Sequence, residues 1–312
     1  MRKVKSATRE IMSCGSTDIM KKIELAVCIR LHEKVTIPMM LYNSETWTLT
    51  KSDLKEVEKM ELWALKWILN VPRTTPSVAI RFVTGTLYAD IRIDERQLMY
   101  LQKILKREES HWTHHLLKTL DMHSIGWAQQ IRIKLREYEL DEDWERIRNK
   151  GEAVWKKQVK QAIEKRHKAK LHEECHSVRG DKICEKTKTL TIIPSIESED
   201  FNRTRDYGLM TLTRIKARAI IMGRYMMLDC ANNFENKYGS KKCDVCNVID
   251  DEIHRIIYCP KWKSINYCDN DEQAKIDFSL IYSDKKSDLE ETADVILSIW
   301  DLKNGKNSMI QN

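Results

Sequence analysis

Residues that form tight turns are scarce in this chain, and that scarcity limits the fold more than any other feature of the sequence. Only 5 prolines and 9 glycines occur among the 312 residues, whereas an all-β sandwich or barrel needs a turn roughly every 8–12 residues. Charged residues make up 32% of the chain, above the ~25% of an average soluble protein and typical of helices with solvated faces. Because the hydrophobic fraction of 42% is sufficient for a core, we expect a folded, mainly α protein.

Apolar residues recur at helical spacing along most of the chain. The clearest stretch begins at Thr50, which with Asp53 has the spacing of a capping box, and it ends before Pro72. Gly126 and Gly151 mark breaks between later helices, and a short strand is predicted at 189–193. The periodicity predicts helices over residues 18–41, 50–71, 90–108, 111–120, 124–140, 143–175, 205–230 and 288–302.

Periodicity and composition divide the chain into four parts. Residues 1–178 are predicted to form a helical region, and the aperiodic residues 179–204 are predicted to be a linker. Residues 205–268 hold a helix and a cysteine cluster, and residues 269–312 form an acidic tail with one helix. We therefore expect a helical bundle that is followed by a small C-terminal segment.

Positive charge is concentrated in the middle of the chain. Residues 150–190 contain 12 lysines and arginines against 6 aspartates and glutamates, whereas residues 264–312 contain 5 against 10. The net charge of the whole chain is +7. A basic segment of this kind predicts a polyanionic partner, although a solvated helix face has the same composition and remains the alternative.

The nine cysteines are odd in number and irregularly spaced, and no apolar signal segment precedes them. This pattern is not typical of a secreted protein held by disulfides, so we expect a reducing compartment, either the nucleus or the cytoplasm. No stretch approaches the ~18 uninterrupted apolar residues of a membrane span, and no membrane partner is predicted.

A group of thiol and imidazole side chains near the C-terminus has the spacing of a metal site. Cys243 and Cys246 form a Cys-x-x-Cys pair, which supplies two thiolates from one turn, and His254 and Cys259 follow in the same short segment. Zinc prefers four such ligands in a tetrahedron. All four positions are filled by protein, so we predict a closed, structural zinc site without an open position for a catalytic water. Cys268 remains an alternative ligand.

No catalytic centre is predicted anywhere in the chain. Tyr88-Ala89-Asp90-Ile91 has the outline of the Tyr/Phe-x-Asp-Asp motif of polymerases, in which two adjacent carboxylates hold the metal ions for phosphoryl transfer. Here an isoleucine stands in place of the second aspartate, and Asp90 is better interpreted as the N-cap of the following helix. His111, His114 and His115 have no acidic or cysteine partner nearby and are predicted to be surface residues at a helix start.

Separate blocks of the sequence resemble one known family. The first is Leu41-Tyr-Asn-Ser-Glu-Thr-Trp-Thr-Leu-Thr50 with the helix that ends Trp67-Ile-Leu-Asn-Val71, and the second is Arg96-Gln-Leu-Met-Tyr-Leu-Gln-Lys-Ile-Leu105. The third is Met227-Leu-Asp-Cys-Ala-Asn-Asn-Phe-Glu-Asn-Lys-Tyr238, which leads into the cysteine cluster. Over about residues 20–262 the chain resembles the C-terminal region of non-LTR retrotransposon reverse transcriptases, between the polymerase palm and the terminal zinc knuckle. Asn43 departs from the glycine that is usual there.

The resemblance implies a thumb-like helical region and a terminal knuckle that help to grip template RNA and target DNA during target-primed reverse transcription. In that family the endonuclease and the palm would lie upstream of Met1. We therefore expect a fragment that is not an enzyme, either a truncated copy of an element or a piece recruited by a host. The expected partners are RNA or single-stranded DNA, the missing palm domain, or another element-encoded protein.

The basic helical segment and the cations around the knuckle are the predicted contacts with nucleic acid. Lysines neutralise phosphates, and exposed aromatic rings stack on unpaired bases. The competing hypothesis is a helical, zinc-stapled protein-interaction module, or a decayed fragment without function. The predicted contacts are Lys156, Lys157, Lys160, Lys165, Arg166, Lys168 and Lys170 in the helical segment, with Lys241, Lys242, Tyr258, Lys261, Trp262 and Lys263 at the knuckle.

Overall fold

The computed structural model describes residues 23–175, 207–225, 228, 230–232, 235–251, 254–260, 280–283 and 285–301. The helices are, in chain order, α1 (Leu25–Leu31), α2 (Ile37–Met40), α3 (Lys51–Leu69), α4 (Ser77–Thr84), α5 (Ala89–Leu105), α6 (Trp112–Met122), α7 (Gly126–Glu137), α8 (Trp144–Asn149), α9 (Glu152–Cys175), α10 (Tyr207–Met210), α11 (Arg214–Arg224), α12 (Glu235–Tyr238) and α13 (Lys286–Asp301). Two π-helical turns, His32–Thr36 and His254–Tyr258, and two 3-10 turns, Ser44–Thr46 and Leu280–Tyr282, complete these elements.

The mainly α prediction is confirmed. Within the described ranges, extended pairing is limited to two isolated antiparallel bridges, Glu24 with Thr213 and Lys242 with Ile249. The strand predicted at 189–193 lies outside the described residues. No helix in the described part of the chain combines the length and the apolar character that crossing a membrane requires.

α1, the first π turn and α2 run as one continuous helix. The wider turn closes where the backbone N–H of Ile37 donates to the carbonyl of His32, five residues earlier. Pro38 follows directly, and a proline both lacks an N–H and pushes away the carbonyl four residues before it. The wider turn accommodates that proline without ending the helix. The helix predicted at 18–41 is therefore confirmed from Leu25 onward, and residues 18–22 lie outside the described ranges.

The capping box predicted for α3 is confirmed. The Thr50 hydroxyl accepts the backbone N–H of Asp53 at 3.2 Å, and the Asp53 carboxylate accepts the backbone N–H of Thr50 at 3.0 Å. These bonds satisfy donors that a helix start otherwise leaves open. α3 ends at Asn70, which adopts the left-handed conformation with φ 54°, just before Pro72.

Two details of the next segment differ from the sequence-based predictions. α4 is not among the predicted helices, because its eight residues Ser77–Thr84 are too few and too uniformly apolar to show a helical period. The N-cap prediction for Asp90 is wrong, since Tyr88 is the N-cap and α5 begins at Ala89. Asp90 instead lies in the first turn of α5, where its carboxylate accepts a bond from Lys170 Nζ at 2.6 Å.

Buried charges join α3 to α4. Arg81 Nη2 lies 2.5 Å from Glu61 Oε2, and both side chains are completely buried. Arg81 also donates to the carbonyl of Leu87 at 2.9 Å, and its guanidinium lies 4.7 Å from the centre of the Tyr88 ring. Burial opposes the charge of Arg81, but the neighbouring Glu61 carboxylate raises its pKa above the ordinary value. Arg81 is therefore held against Glu61 inside the helical core.

Two of the blocks that carry the family resemblance contact each other. Arg96 donates to the carbonyl of Leu41 at 2.5 Å. The buried amide of Gln97 donates to the carbonyls of Ser44 and Trp47, at 3.1 and 2.7 Å. The carbonyls of Leu41 and Ser44 also accept backbone N–H groups, from Ser44 at 3.1 Å and from Trp47 at 3.3 Å, so the side chains of α5 add further bonds to this turn. The loop after α2 is thus held against the middle of α5.

α9 packs along α5 through a row of buried side chains. Trp155, Val159 and Ile163 of α9 are inaccessible to solvent, and the indole of Trp155 donates to the carbonyl of Leu98 at 3.1 Å. The break predicted at Gly151 is present, because α8 ends at Asn149 and α9 begins at Glu152. One face of α9 is therefore core, and the opposite face is exposed.

The helices that follow residues 176–206 return to the first half of the chain. The backbone N–H of Leu25 donates to Leu212 at 2.9 Å, and the Arg214 guanidinium donates to the carbonyl of Ile68 at 2.5 Å. One hydrophobic cluster includes buried residues from α1 through α13. The parts predicted on either side of the linker 179–204 therefore share a core.

The acidic C-terminal segment also belongs to this core. Leu289, Ala293 and Ile296 of α13 are buried against the face of α11. Gly223 of α11 allows the close approach, since a Cβ atom there would lie 2.4 Å from Ile281 Cδ1. The helix predicted at 288–302 thus has a structural role that its charge did not indicate.

Candidate functional site

A tight turn positions the first two cysteines of the cluster. The backbone N–H of Cys243 donates to Val248 at 2.8 Å, and the N–H of Asn247 donates back to Cys243 at 3.0 Å. Asn247 adopts a left-handed backbone with φ 57°, which asparagine tolerates better than most residues. The chain therefore reverses directly after Cys246 and leaves both thiols on one side of the turn.

A π turn positions the other two members. Cys259 donates its backbone N–H to the carbonyl of His254 at 2.7 Å, and the carboxylate of Asp251 accepts the backbone N–H of His254 at 2.7 Å. A π turn joins residues five apart. Two side chains separated by four intervening residues consequently lie next to each other, which an α-helix would not allow.

The four side chains form one compact group. One potential ligand atom from each of Cys243, Cys246, His254 and Cys259 lies within 4.8 Å of all the others. Cys259 Sγ lies 3.9 Å from Cys243 Sγ and 4.0 Å from Cys246 Sγ. A tetrahedral ion with metal–sulfur bonds of about 2.3 Å places its sulfurs about 3.8 Å apart, whereas a disulfide requires about 2.05 Å. The spacing fits ligands around an ion.

The imidazole of His254 gives a second test of the fit. Its Nε2 atom is buried and makes no hydrogen bond within the described part of the protein. A buried nitrogen without a partner is costly, and coordination of an ion satisfies it. The four residues selected from the sequence therefore come together as a group that could hold a metal ion, and Cys268 lies outside the described residues.

A buried ion pair attaches this group to the rest of the protein. Both guanidinium arms of Arg255 bond the carboxylate of Asp250, through Nε at 2.6 Å and through Nη2. Asp250 also accepts the backbone N–H of Ala231 at 2.8 Å, and its carbonyl accepts the N–H of Asn232 at 3.0 Å. Burial opposes the charge of Arg255, but the hydrogen bond to Asp250 raises its pKa above the ordinary value. The sequence does not distinguish this pair, because its residues lie among other charges in the chain.

Three of the predicted nucleic-acid contacts form an open basic surface on α9. Lys156, Lys157 and Lys160 are exposed, and none has an acidic side chain within ion-pair distance among the described residues. Residues three and four apart on a helix are neighbours, so Lys160 lies beside both of the other two. We call these three residues the lysine triad.

The remaining basic residues of α9 differ from the triad. Lys165 and Arg166 form exposed ion pairs with Glu139 and Glu173 at 2.6 and 3.5 Å, and such pairs contribute only about 0–1 kcal/mol. Both cations are thus able to exchange partners. Lys168 is half-buried.

Lys170 belongs to the interior of the protein. Its side chain is only 19% exposed and lies 2.6 Å from Asp90, 3.9 Å from Glu58 and 4.2 Å from the centre of the Tyr88 ring. Lys170 lies nearly three turns beyond the triad along the helix, where α9 meets α3 and α5. Lys170 is among the predicted nucleic-acid contacts because of its position in the basic segment. In this structure it is an internal ion-pair partner.

Fewer of the predicted contacts at the cysteine cluster can be located. Lys241 and Lys242 are exposed, and Lys241 lies 3.6 Å from Glu235. Tyr258 is 40% exposed. Lys261, Trp262 and Lys263 lie outside the described residues.

The three histidines near α6 occupy different environments. His111 is the N-cap of α6, and its ring accepts the backbone N–H of Thr113 at 3.2 Å. His115 is exposed as predicted, but the surface prediction is wrong for His114, which is buried. Helical spacing placed all three on neighbouring turns, but it could not show which side packs inward.

Comparisons with protein-family models, with curated proteins and with solved structures give no match to this chain.

Proposed function

We propose that the chain is the nucleic-acid-binding C-terminal part of a non-LTR retrotransposon reverse transcriptase and that it binds single-stranded RNA or DNA. The observation that carries this proposal is the lysine triad. Three neighbouring cations without acidic partners remain available to phosphates, whereas the other lysines on a solvated face often pair with carboxylates. Neutralising phosphates in this way provides affinity without selecting a sequence.

Zinc is the metal we propose for the cysteine cluster. Three thiolates and one imidazole at tetrahedral spacing are typical of structural zinc. All four positions are filled by protein side chains, so such an ion would stabilise the fold of this segment rather than activate water. Cys243, Cys246, His254 and Cys259 would hold it.

Two features of the fold support the family assignment in this proposal. Asn43 has φ 59°, a left-handed conformation that glycine adopts freely. The position at which the chain departs from the family's usual glycine is thus one where glycine fits. The contacts of Arg96 and Gln97 with the loop after α2 also explain why these two sequence blocks would occur together.

A protein-interaction module is the second candidate, because α6 and the turn after it expose large apolar side chains. Trp112 is 68% exposed, and Leu116, one turn later, is also exposed. Met122 and Ile125 are also exposed. Scattered apolar residues are normal on a protein surface, but a contiguous patch indicates a binding partner.

Salt-dependent binding distinguishes the two functions. The purified chain would be titrated with a fluorescent single-stranded RNA of about twelve nucleotides between about 50 and 200 mM salt. With four to six phosphates neutralised, the slope of log affinity against log salt is expected near −3 to −4, from roughly −0.7 per phosphate. Charge reversal at Lys157 and Lys160 should reduce that slope by about 1.4 and weaken binding to all sequences equally.

The matched control is charge reversal at Lys51 and Lys55, which are exposed on α3 and change the net charge by the same amount. If both double variants lose the same affinity, general charge rather than the triad is responsible. Affinity that responds neither to salt nor to the triad would favour the interaction module.

A further inference from the structure

A groove runs along the outer side of the cysteine cluster. Its volume is about 670 Å³, within the ~300–1,000 Å³ that is usual for sites that take small molecules. The lining residues are Cys246, Val248, Ile249, Asp251, His254, Tyr258 and Pro260. Most of this surface is apolar.

The apolar side chains of the groove are turned toward solvent. Val248 is 50% exposed, Ile249 is 57% exposed, and the ring of Tyr258 is partly accessible. Among the described side chains between 235 and 260, the buried ones are Cys243, Asp250, His254, Arg255 and Cys259. The described apolar side chains of the groove are thus exposed together, and a contiguous exposed apolar surface marks a contact surface.

One cation stands at the edge of this groove. Lys242 and Ile249 form an isolated antiparallel bridge, and residues opposite each other in such a pair project from the same face. Lys242 therefore lies on the side of Ile249. It is exposed and has no acidic partner within ion-pair distance in the described part of the chain. The groove combines an aromatic ring and an apolar floor with the carboxylate of Asp251, which is bonded to the backbone N–H of His254, and with one lysine at its edge.

We propose that the groove takes one unpaired base of a single-stranded nucleic acid, with the neighbouring phosphate on Lys242. A base offers a flat apolar face to the tyrosine and the aliphatic side chains, and its phosphate complements the lysine. An apolar peptide would satisfy the floor of the groove but would leave the lysine without a counter-charge. This assignment rests on the proposed function and adds a base-dependent contact to the phosphate contacts of α9.

Two exposed valines of the same segment supply a matched test. Val248 lines the groove, whereas Val245 is 54% exposed but does not line it. Val248→Ser and Val245→Ser make the same chemical change three residues apart. Each variant, as the full zinc-loaded chain, would be titrated with an oligouridylate of about twelve nucleotides and with an abasic oligomer of equal length and charge.

The wild-type chain is expected to bind the oligouridylate more tightly than the abasic oligomer. Val248→Ser should lower affinity for the oligouridylate about three- to fivefold, and Tyr258→Ala should lower it about five- to thirtyfold. Neither change should alter affinity for the abasic oligomer or the salt slope, because no charge is removed. Val245→Ser should resemble the wild type, and Tyr258→Phe should retain most of the affinity. The zinc content of each variant would be measured, to establish that the substitution has not removed the metal.

Equal affinity for the two oligomers, or equal effects of the two valine changes, would overturn the groove assignment while leaving salt-dependent binding by α9 intact. Failure to bind either oligomer would instead overturn the proposed function itself. The groove would be assigned to a protein partner by a different result. In that case Val248→Ser binds both oligomers as tightly as the wild type does, and an apolar peptide binds the wild type but not Val248→Ser.

Discussion

Replacing His32 with leucine should remove an acid-sensitive element from the helical core. The ring of His32 is 1% exposed and lies in the π turn between α1 and α2. Neither ring nitrogen has a hydrogen-bond partner within the described residues. Burial is the main cause that lowers the pKa of His32 from 6.5 to about 4, and the neighbouring charges of Glu61, Arg92 and Arg81 modify this effect.

The sign of the effect follows from the proton balance. The unfolded chain binds a proton at this histidine near pH 6.5, but the folded chain resists it until about pH 4. Stability is therefore present above pH 6.5 and is lost as the pH falls toward 4. With this pKa shift, the free energy of unfolding falls by about 2 kcal/mol between pH 7 and pH 5, and by about 3 kcal/mol by pH 4.

The assay is urea-induced unfolding of the wild type and of His32→Leu at several pH values from 7 to 4.5. At neutral pH the variant should be as stable as the wild type or more so, because leucine fills a similar volume and leaves no unpaired nitrogen. Toward pH 5 the variant should become the more stable protein by about 2 kcal/mol. Any acid-induced loss of metal affects both proteins and cancels in the difference.

His115→Leu serves as the control, since His115 is exposed on α6. It should leave the pH dependence of the wild type unchanged. A difference between wild type and His32→Leu that varies by less than about 0.5 kcal/mol over this pH range would refute the argument. Such a result would mean that the ring of His32 is solvated or hydrogen-bonded, whereas in this structure it is buried and has no hydrogen-bond partner within the described residues.

Three further outcomes are expected. Cys246→Ser should fail to retain one equivalent of tightly bound zinc and should unfold the cysteine segment, while circular dichroism shows the helices of the core unchanged. Arg81→Met should lower the free energy of unfolding by about 3–5 kcal/mol, because it leaves the buried Glu61 carboxylate without its partner. The double variant with Glu61→Leu should recover most of that loss. An equal loss in the double variant would contradict this explanation. The purified chain should extend no primer on an RNA template with magnesium or manganese, and synthesis that survives removal of contaminants would contradict the absence of a catalytic centre.

Local chemistry explains which parts of the fold could be predicted. The start of α3 depends on the hydroxyl of Thr50 and the carboxylate of Asp53, which lie three residues apart, so a short window of sequence contains the whole interaction. The same holds for the cysteine cluster, whose members lie within seventeen positions of one another, from Cys243 to Cys259. Local spacing was sufficient in both cases.

Features that depend on tertiary packing could not be predicted in this way. Lys170 resembles the other lysines of α9 in sequence, but its partner Asp90 is 80 residues away. His114 and His115 are adjacent, and only the packing of α6 decides that the first is buried. α11 and α13 likewise join the core through contacts with segments far along the chain. The charge and the hydrophobic period of a helix show which residues share a face. They do not show which distant segment packs against that face.

The cysteine segment connects the metal to the proposed base contact. Among the described side chains between 235 and 260, the buried ones are Cys243, Asp250, His254, Arg255 and Cys259. These buried groups are metal ligands and one ion pair, so we expect coordination to supply much of the order of this segment. The groove is lined by Cys246 and His254 themselves, so its shape exists only while those residues are held together. Removal of the metal should consequently abolish the difference between base-containing and abasic oligomers, while the lysine triad, which lies on a helix packed into the core, continues to bind both.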